Sequence, residues 1–168
     1  MRAIFLILCS VLLNGCLGMP ESVKPVSDFE LNNYLGKWYE VARLDHSFER
    51  GLSQVTAEYR ARNDGGISVL NRGYSEEKGE WKEAEGKAYF VNGSTDGYLK
   101  VSFFGPFYGS YVVFELDREN YSYAFVSGPN TEYLWLLSRT PTVERGILDK
   151  FIEMSKERGF DTNRLIYV

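Results

Sequence analysis

The chain of 168 residues contains only two cysteines, one histidine and three methionines. Both cysteines, Cys9 and Cys16, precede Leu17, so no disulfide can staple residues 17–168. A cysteine–histidine nucleophile pair, or a cluster of His and Cys around a metal, has no residues to be built from there. No apolar run reaches the ~20 residues that a membrane-spanning helix needs. Cations do not exceed anions: 19 Lys and Arg stand against 23 Asp and Glu, a net charge of −4, with the two signs interspersed. Nucleic-acid binding is therefore not expected, because it needs a basic face to displace counterions. There is no G-x-S-x-G elbow and no glycine-rich phosphate loop ahead of a helix. No catalytic residue, metal or cofactor is expected. The one histidine, His46, reads as a surface residue.

Aromatic residues, by contrast, are abundant: they form 15% of the chain, with 12 Tyr and 11 Phe. Such a supply suits β-strands, or a surface that grips something apolar. The N-terminus has its own pattern. Arg2 precedes the short apolar run Ala3 to Leu13, and the run closes on Leu13-Asn14-Gly15-Cys16. A charged residue ahead of a short apolar run is a targeting segment rather than an anchor. Its end resembles the lipobox of bacterial lipoproteins, in which the cysteine thiol carries acyl chains such as palmitate and becomes the new N-terminus. That resemblance implies a signal peptide over 1–15, a lipidated tether over 16–27 and a folded domain over 28–168. It makes Cys16 the lipidation site and the membrane a partner, with about 0.8 kcal/mol from each buried CH₂. Leu17, where an Asp would retain such a protein at the inner membrane, implies the outer membrane.

From Gly36 onward the chain alternates with period two, broken by turn clusters such as "NDGG" at 63–66 and "NGSTDG" at 92–97. The pattern predicts strands over 37–45, 52–62, 66–74, 81–91, 97–104, 108–117, 121–127 and 132–139. Every connection but the first is short, which favours an up-and-down meander. Eight strands is the number that closes around one small ligand. Val143, Ile147, Leu148, Phe151 and Met154 then recur at helical spacing, with Thr140 as the expected cap, Pro141 at the first helical position and Gly159 as the stop. A single apolar stripe places that helix outside the barrel. Residues 164–168 read as a final short strand.

Three motifs in order carry a resemblance. Gly36-Lys37-Trp38-Tyr39 fits the G-x-W-Y motif that opens the first lipocalin strand. Leu116 to Tyr121 falls where the second motif is expected, with two extra residues between Asp117 and Tyr121. Leu137-Ser138-Arg139-Thr140-Pro141 fits the third. The chain therefore resembles the lipocalin family over about 28–168, and within it the bacterial outer-membrane members and the apolipoprotein D-like ones. The expected fold is all-β: an eight-stranded antiparallel up-and-down lipocalin barrel with one C-terminal α-helix packed outside. Gly36, Trp38 and Arg139 are expected to be structural, with Trp38 plugging the narrow end and Arg139 lying across its ring.

With Trp38 at the closed end, loops one, three, five and seven surround the open end. Phe48, Phe107 and Tyr108 then form the cavity mouth, and exposed aromatics there need a reason. Period two places Leu99, Val101 and Phe103 on one face, as it does Val55, Ala57 and Tyr59, Ile67, Val69 and Asn71, and Tyr133, Trp135 and Leu137. In the sixth strand both faces are apolar and the pattern does not choose between Tyr111 and Val112. The resemblance favours Tyr111, along with Tyr59, Asn71, Phe103 and Trp135. The expected ligand-binding wall is thus Tyr59, Val69, Asn71, Val101, Phe103, Tyr111 and Trp135, with Arg50 as a candidate for a polar head group. The resemblance implies a lipid ligand, a fatty acid or a lysophospholipid, stored or carried in support of envelope maintenance, and it permits a homodimer. The alternatives are a structural lipoprotein whose barrel is filled by its own side chains, and a lipid-modifying enzyme.

Overall fold

The computed structural model describes residues 17–168. The expected signal peptide and the Cys16 lipidation site lie outside the described residues. All eight expected strands are present, each within two residues of its expected ends: β1 Gly36–Leu44, β2 Leu52–Ala61, β3 Ile67–Ser75, β4 Glu80–Phe90, β5 Tyr98–Phe104, β6 Phe107–Leu116, β7 Tyr123–Ser127 and β8 Leu134–Ser138. Each pairs antiparallel with the next, and β1 pairs with both β2 and β8, so the meander closes. Closure removes the free edges that an open sheet would expose. The last strand, β9 (Leu165–Tyr167), adds to β1 beyond the barrel through Ala42, Arg43 and Leu44.

Two apolar layers share the sheet. The inner one gathers Trp38, Tyr59, Val69, Leu99, Val113 and Leu137. The outer one gathers Ala42, Val112, Phe114, Phe125 and Leu136 beneath the long helix. That helix, α2 (Arg145–Glu157), is preceded in the chain by a single turn, α1 (Leu31–Tyr34), placed just before β1. It buries Phe151 completely, with Ile147, Leu148 and Met154 beside it. Its end has the expected chemistry. Gly159 adopts φ +85°, and the N–H groups of Gly159 and Phe160 donate to the Lys156 and Ser155 carbonyls.

The start of α2 differs from expectation. Thr140 does not cap it and Pro141 does not open it. The Thr140 hydroxyl is engaged with the Thr142 carbonyl and the Ser138 hydroxyl, which holds 140–143 in a bend, and the helix begins at Arg145 with no side-chain cap. The described part of the segment expected to be a tether is packed against the barrel. Val23 and Val26 are buried, the Val26 N–H donates to the Val113 carbonyl, the Gly97 N–H donates to the Val26 carbonyl, and the Ser22 hydroxyl donates to the Arg158 carbonyl. Residues 17–27 are thus strapped along the barrel.

The sixth strand explains why its alternation could not be read. Tyr111 and Val113 face inward and Val112 and Phe114 outward, then the register with β7 shifts between Val113 and Glu115. The bulge leaves Glu115 outward, where its carboxylate accepts from Lys150 of α2, and returns Leu116 to the inside.

Candidate functional site

The barrel encloses a cavity of about 820 Å³. Its floor is built from the G-x-W segment. Trp38 is fully buried, and its indole N–H donates to the Tyr34 carbonyl at 2.8 Å. The Arg139 guanidinium lies 3.9 Å from the Trp38 ring centroid and donates to the carbonyls of Asn33, Leu35, Lys37 and Tyr121. One side chain thereby joins α1, β1 and the β6–β7 turn beneath the ring. Gly36 holds φ +97°, a conformation that a side chain would strain, where the chain turns into β1 under Arg139. Gly36, Trp38 and Arg139 together build this floor.

Tyr59, Val69, Asn71, Val101, Phe103, Tyr111 and Trp135 all line the cavity, and Phe48, Phe107 and Tyr108 stand at its open end with Pro129 and Asn130. Phe103 sits partly exposed near the rim. It lies across Gly86 of β4, where an added Cβ would fall 2.8 Å from its ring. Arg50 does not line the cavity; it is exposed and donates to Asp45 at 2.8 Å. Its place as a head-group partner is not supported.

Three phenols meet inside the barrel near the floor. The Tyr34 and Tyr111 hydroxyls are 2.7 Å apart, and those of Tyr59 and Tyr111 are 2.9 Å apart. Burial pushes all three pKa values up, so the hydroxyls stay neutral. Three neutral hydroxyls in a row carry three protons and need two for the bonds between them. One O–H is left over for an acceptor in the cavity.

Nearer the mouth lies a buried polar cluster that sequence reasoning missed. Arg43, 1% exposed, reaches the Glu40 carboxylate at 2.6 Å and the Glu49 and Leu52 carbonyls at 3.1 Å. The Glu49 carboxylate lies 2.8 Å from His46 Nε2 and accepts from the Trp135 indole at 3.1 Å. Glu40 and Glu49 both line the cavity. Burial, with the neighbouring Glu49 charge as the next cause, raises the Glu40 pKa well above its ordinary value in spite of Arg43. Burial also acts to raise Glu49, but His46, Trp135 and Arg43 together outweigh it and hold Glu49 low. The two carboxyl groups are thus shifted in opposite directions, Glu40 up and Glu49 down.

His46 is therefore not a surface residue: it is 5% exposed, 3.9 Å from the Phe48 ring centroid and 5.2 Å from that of Trp135. A signal for Glu40 did exist, since Trp38 faces inward and Glu40 is two residues on. For Arg43 there was none. The register with β8 shifts between Glu40 and Ala42, which turns Val41 and Ala42 both toward the helix and brings Arg43 inside. Among the described residues, no group of three or more His, Cys, Asp or Glu could hold a metal ion.

A closed up-and-down barrel with a plugged floor, an apolar cavity and an aromatic rim defines the class of small-ligand-binding β-barrels. The family model described as a lipocalin-like domain matches residues 29–168. The outer membrane lipoprotein Blc of Vibrio cholerae serotype O1 is 99% identical over 168 residues, covering 100% of this chain and 98% of that protein. Its namesake in Escherichia coli strain K12 is 51% identical over 149 residues, covering 89% and 84%. Among solved structures, insecticyanin from the tobacco hornworm Manduca sexta superposes with a TM-score of 0.71 at 23% identity, covering 89% of this chain and 85% of that one. The chain belongs to the lipocalin-like family, as one of its bacterial outer-membrane lipoproteins. Such barrels are generally binding and transport proteins rather than enzymes.

Proposed function

We propose that the protein takes a single-chain lipid, a fatty acid or a lysophospholipid, into the barrel and stores or carries it at the outer membrane in support of envelope maintenance. Acylated Cys16 is the anchor in this reading, with 1–15 removed as the signal peptide and 28–168 as the binding domain. The observation that carries the proposal is the cavity of about 820 Å³, apolar along its walls and open at an aromatic rim. An acyl chain entering it gains about 0.8 kcal/mol for each CH₂ buried. The polar end has two kinds of partner: the spare phenolic O–H near the floor and the Glu40–Glu49 cluster near the mouth. No covalent chemistry is needed; uptake is partition. So large a space counts against a barrel filled by its own side chains.

The test is titration of tryptophan fluorescence in a form lacking residues 1–16, with a lysophospholipid and with a fatty acid. Trp135→Phe is the control. A saturable change that disappears in the variant supports a lipid beside Trp135. Folded protein that responds to neither lipid overturns the proposal.

A further inference from the structure

The buried cluster near the mouth does not balance its charge from within. Two carboxyl groups, on Glu40 and Glu49, stand near one guanidinium, that of Arg43. The other titratable neighbour, His46, lies 2.8 Å from Glu49 and adds a charge only when protonated. With His46 neutral, two acids face one cation. The shortfall shows at Glu40, whose pKa is raised first by burial and next by the Glu49 charge. Polar capacity is also left over. Arg43 Nε and His46 Nδ1 are buried and have no hydrogen-bond partner among the described residues.

The cluster turns its acidic side to the cavity. Glu40 and Glu49 line it, whereas Arg43 and His46 do not. Tyr133 and Trp135 line the same space, with their rings stacked at 6.2 Å between centroids. The Trp135 indole donates to Glu49, which places aromatic ring and carboxylate in contact. Carboxylates beside aromatic rings attract an ammonium group twice, by charge and by the ring quadrupole. The basic residues of the lining, Arg72 and Lys82, belong to β3 and β4, and β4 stands opposite β8 in the closed barrel. Arg72 is itself paired with Glu83. The two signs of charge are thus separated across the cavity, acids beside β8 and bases on the far side.

From this separation, and resting on the reading that the barrel takes a single-chain lipid, we infer that Glu40, Glu49, Tyr133 and Trp135 form a subsite for an ammonium group. The lipid it selects is a lysophospholipid with an ethanolamine or choline head. The nitrogen sits against the Glu49 carboxylate and supplies the cation that the cluster lacks. The acyl chain lies along the apolar wall of Val69, Leu99 and Val101. A glycerol head brings no cation to offset two buried carboxyl groups, and a fatty acid brings another anion. Glu40 and Glu49 are 5% and 7% exposed, so the subsite does not depend on what the rim touches.

The experiment uses the full chain, purified from membranes in a neutral detergent and freed of lipid. It is offered an equimolar mixture of lysophosphatidylethanolamine, lysophosphatidylcholine and lysophosphatidylglycerol with one acyl chain in common. Native mass spectrometry reads which lipid is bound, since the three heads differ in mass. The variants are Glu49→Gln and Glu40→Gln, with circular dichroism to check the fold. Glu58→Gln, which removes an Arg60-paired carboxylate from the exposed face of β2, is the control. The expected result is that each ammonium lipid outcompetes the glycerol one by about tenfold. The preference should shrink toward parity in Glu49→Gln, fall in part in Glu40→Gln and persist in Glu58→Gln. Excess of ethanolamine over choline supports hydrogen bonding to the carboxylates, and equality of the two supports recognition by the rings; both fit the subsite. Equal occupancy by all three lipids overturns it, as does a preference that survives in both folded cavity variants. If Glu49→Gln does not fold, Glu40→Gln alone decides. Wild-type protein that binds none of the three overturns the lysophospholipid reading itself, a different failure from binding without selection.

Discussion

The indole N–H of Trp135 donates to the Glu49 carboxylate across 3.1 Å. This bond ties a cavity wall on β8 to the loop that frames the mouth, and it fixes an acceptor at the edge of an apolar space. Glu49 thereby joins the cavity lining to the loop that carries it. Glu49→Gln removes the charge that Arg43 and His46 face. The variant is expected to unfold at lower urea concentration at pH 7. Glu49 is held below its ordinary 4.5, so its contribution is present above that value and is lost as pH falls through the native pKa. The difference between variant and wild type should therefore close in acid, which urea titrations across pH 2–7 would measure.

Glu40 has the opposite sign. Its native pKa lies well above 4.5, so from about that pH upward the unfolded chain gives up a proton that the folded chain keeps. Stability is lost over that interval. Glu40→Gln, which keeps an acceptor for Arg43 but has no proton to lose, is expected to match wild type below pH 4.5 and exceed it at pH 7. A Glu40→Gln variant less stable than wild type at pH 7 would contradict a protonated Glu40.

Arg139→Ala removes a guanidinium that lies on Trp38 and serves four carbonyls. The expected loss is about 2–4 kcal/mol, from a cation–π contact of about 1 kcal/mol and several hydrogen bonds of similar worth. Arg139→Lys should recover only part, because one ammonium cannot span carbonyls that a planar fork reaches. Denaturant unfolding of both variants checks the order.

Tyr111→Phe removes the middle hydroxyl of the buried row and leaves those of Tyr34 and Tyr59 without that partner. The expected cost is about 1–3 kcal/mol, the penalty for buried unsatisfied polar groups. Tyr59→Phe breaks only one of the two bonds and should cost less. Thermal unfolding of the two variants side by side tests the ranking.

Val69→Trp places an indole in the path of an acyl chain. Because the cavity is wide, overpacking is small, and the fold should survive with stability close to wild type. Affinity for a lysophospholipid should fall by about tenfold or more, on the order of 1.4 kcal/mol for each factor of ten. Isothermal titration of variant and wild type, with circular dichroism to check the fold, distinguishes a blocked cavity from a broken one.

The strands and their order were legible because one period-two pattern and short polar turns leave a meander little choice of neighbours. The residues that line the cavity were largely legible too, since Val69, Val101 and Trp135 each sit on a face that the alternation or the position of Arg139 marks as inward. The missed residues share a cause. Glu40, Arg43, His46 and Glu49 are polar and would be solvated in isolation. They are buried as neighbours of opposite sign, Arg43 on Glu40 and His46 beside Glu49, and hydropathy cannot register a cluster that forms across a loop. The displaced start of α2 has a local cause, the capture of the Thr140 hydroxyl by its neighbours.

What the sequence determined by itself is the class of fold, the plugged floor and the aromatic mouth. These depend on side-chain period and on Gly36, Trp38 and Arg139, whose chemistry is strong wherever a barrel closes. Only the tertiary structure decided which way β1 and β6 face past their bulges, since one extra residue reverses the phase and both faces there are dry. The tertiary structure also decided that residues 17–27 lie strapped to the barrel. A segment without period shows its partners only when the surface it crosses is complete.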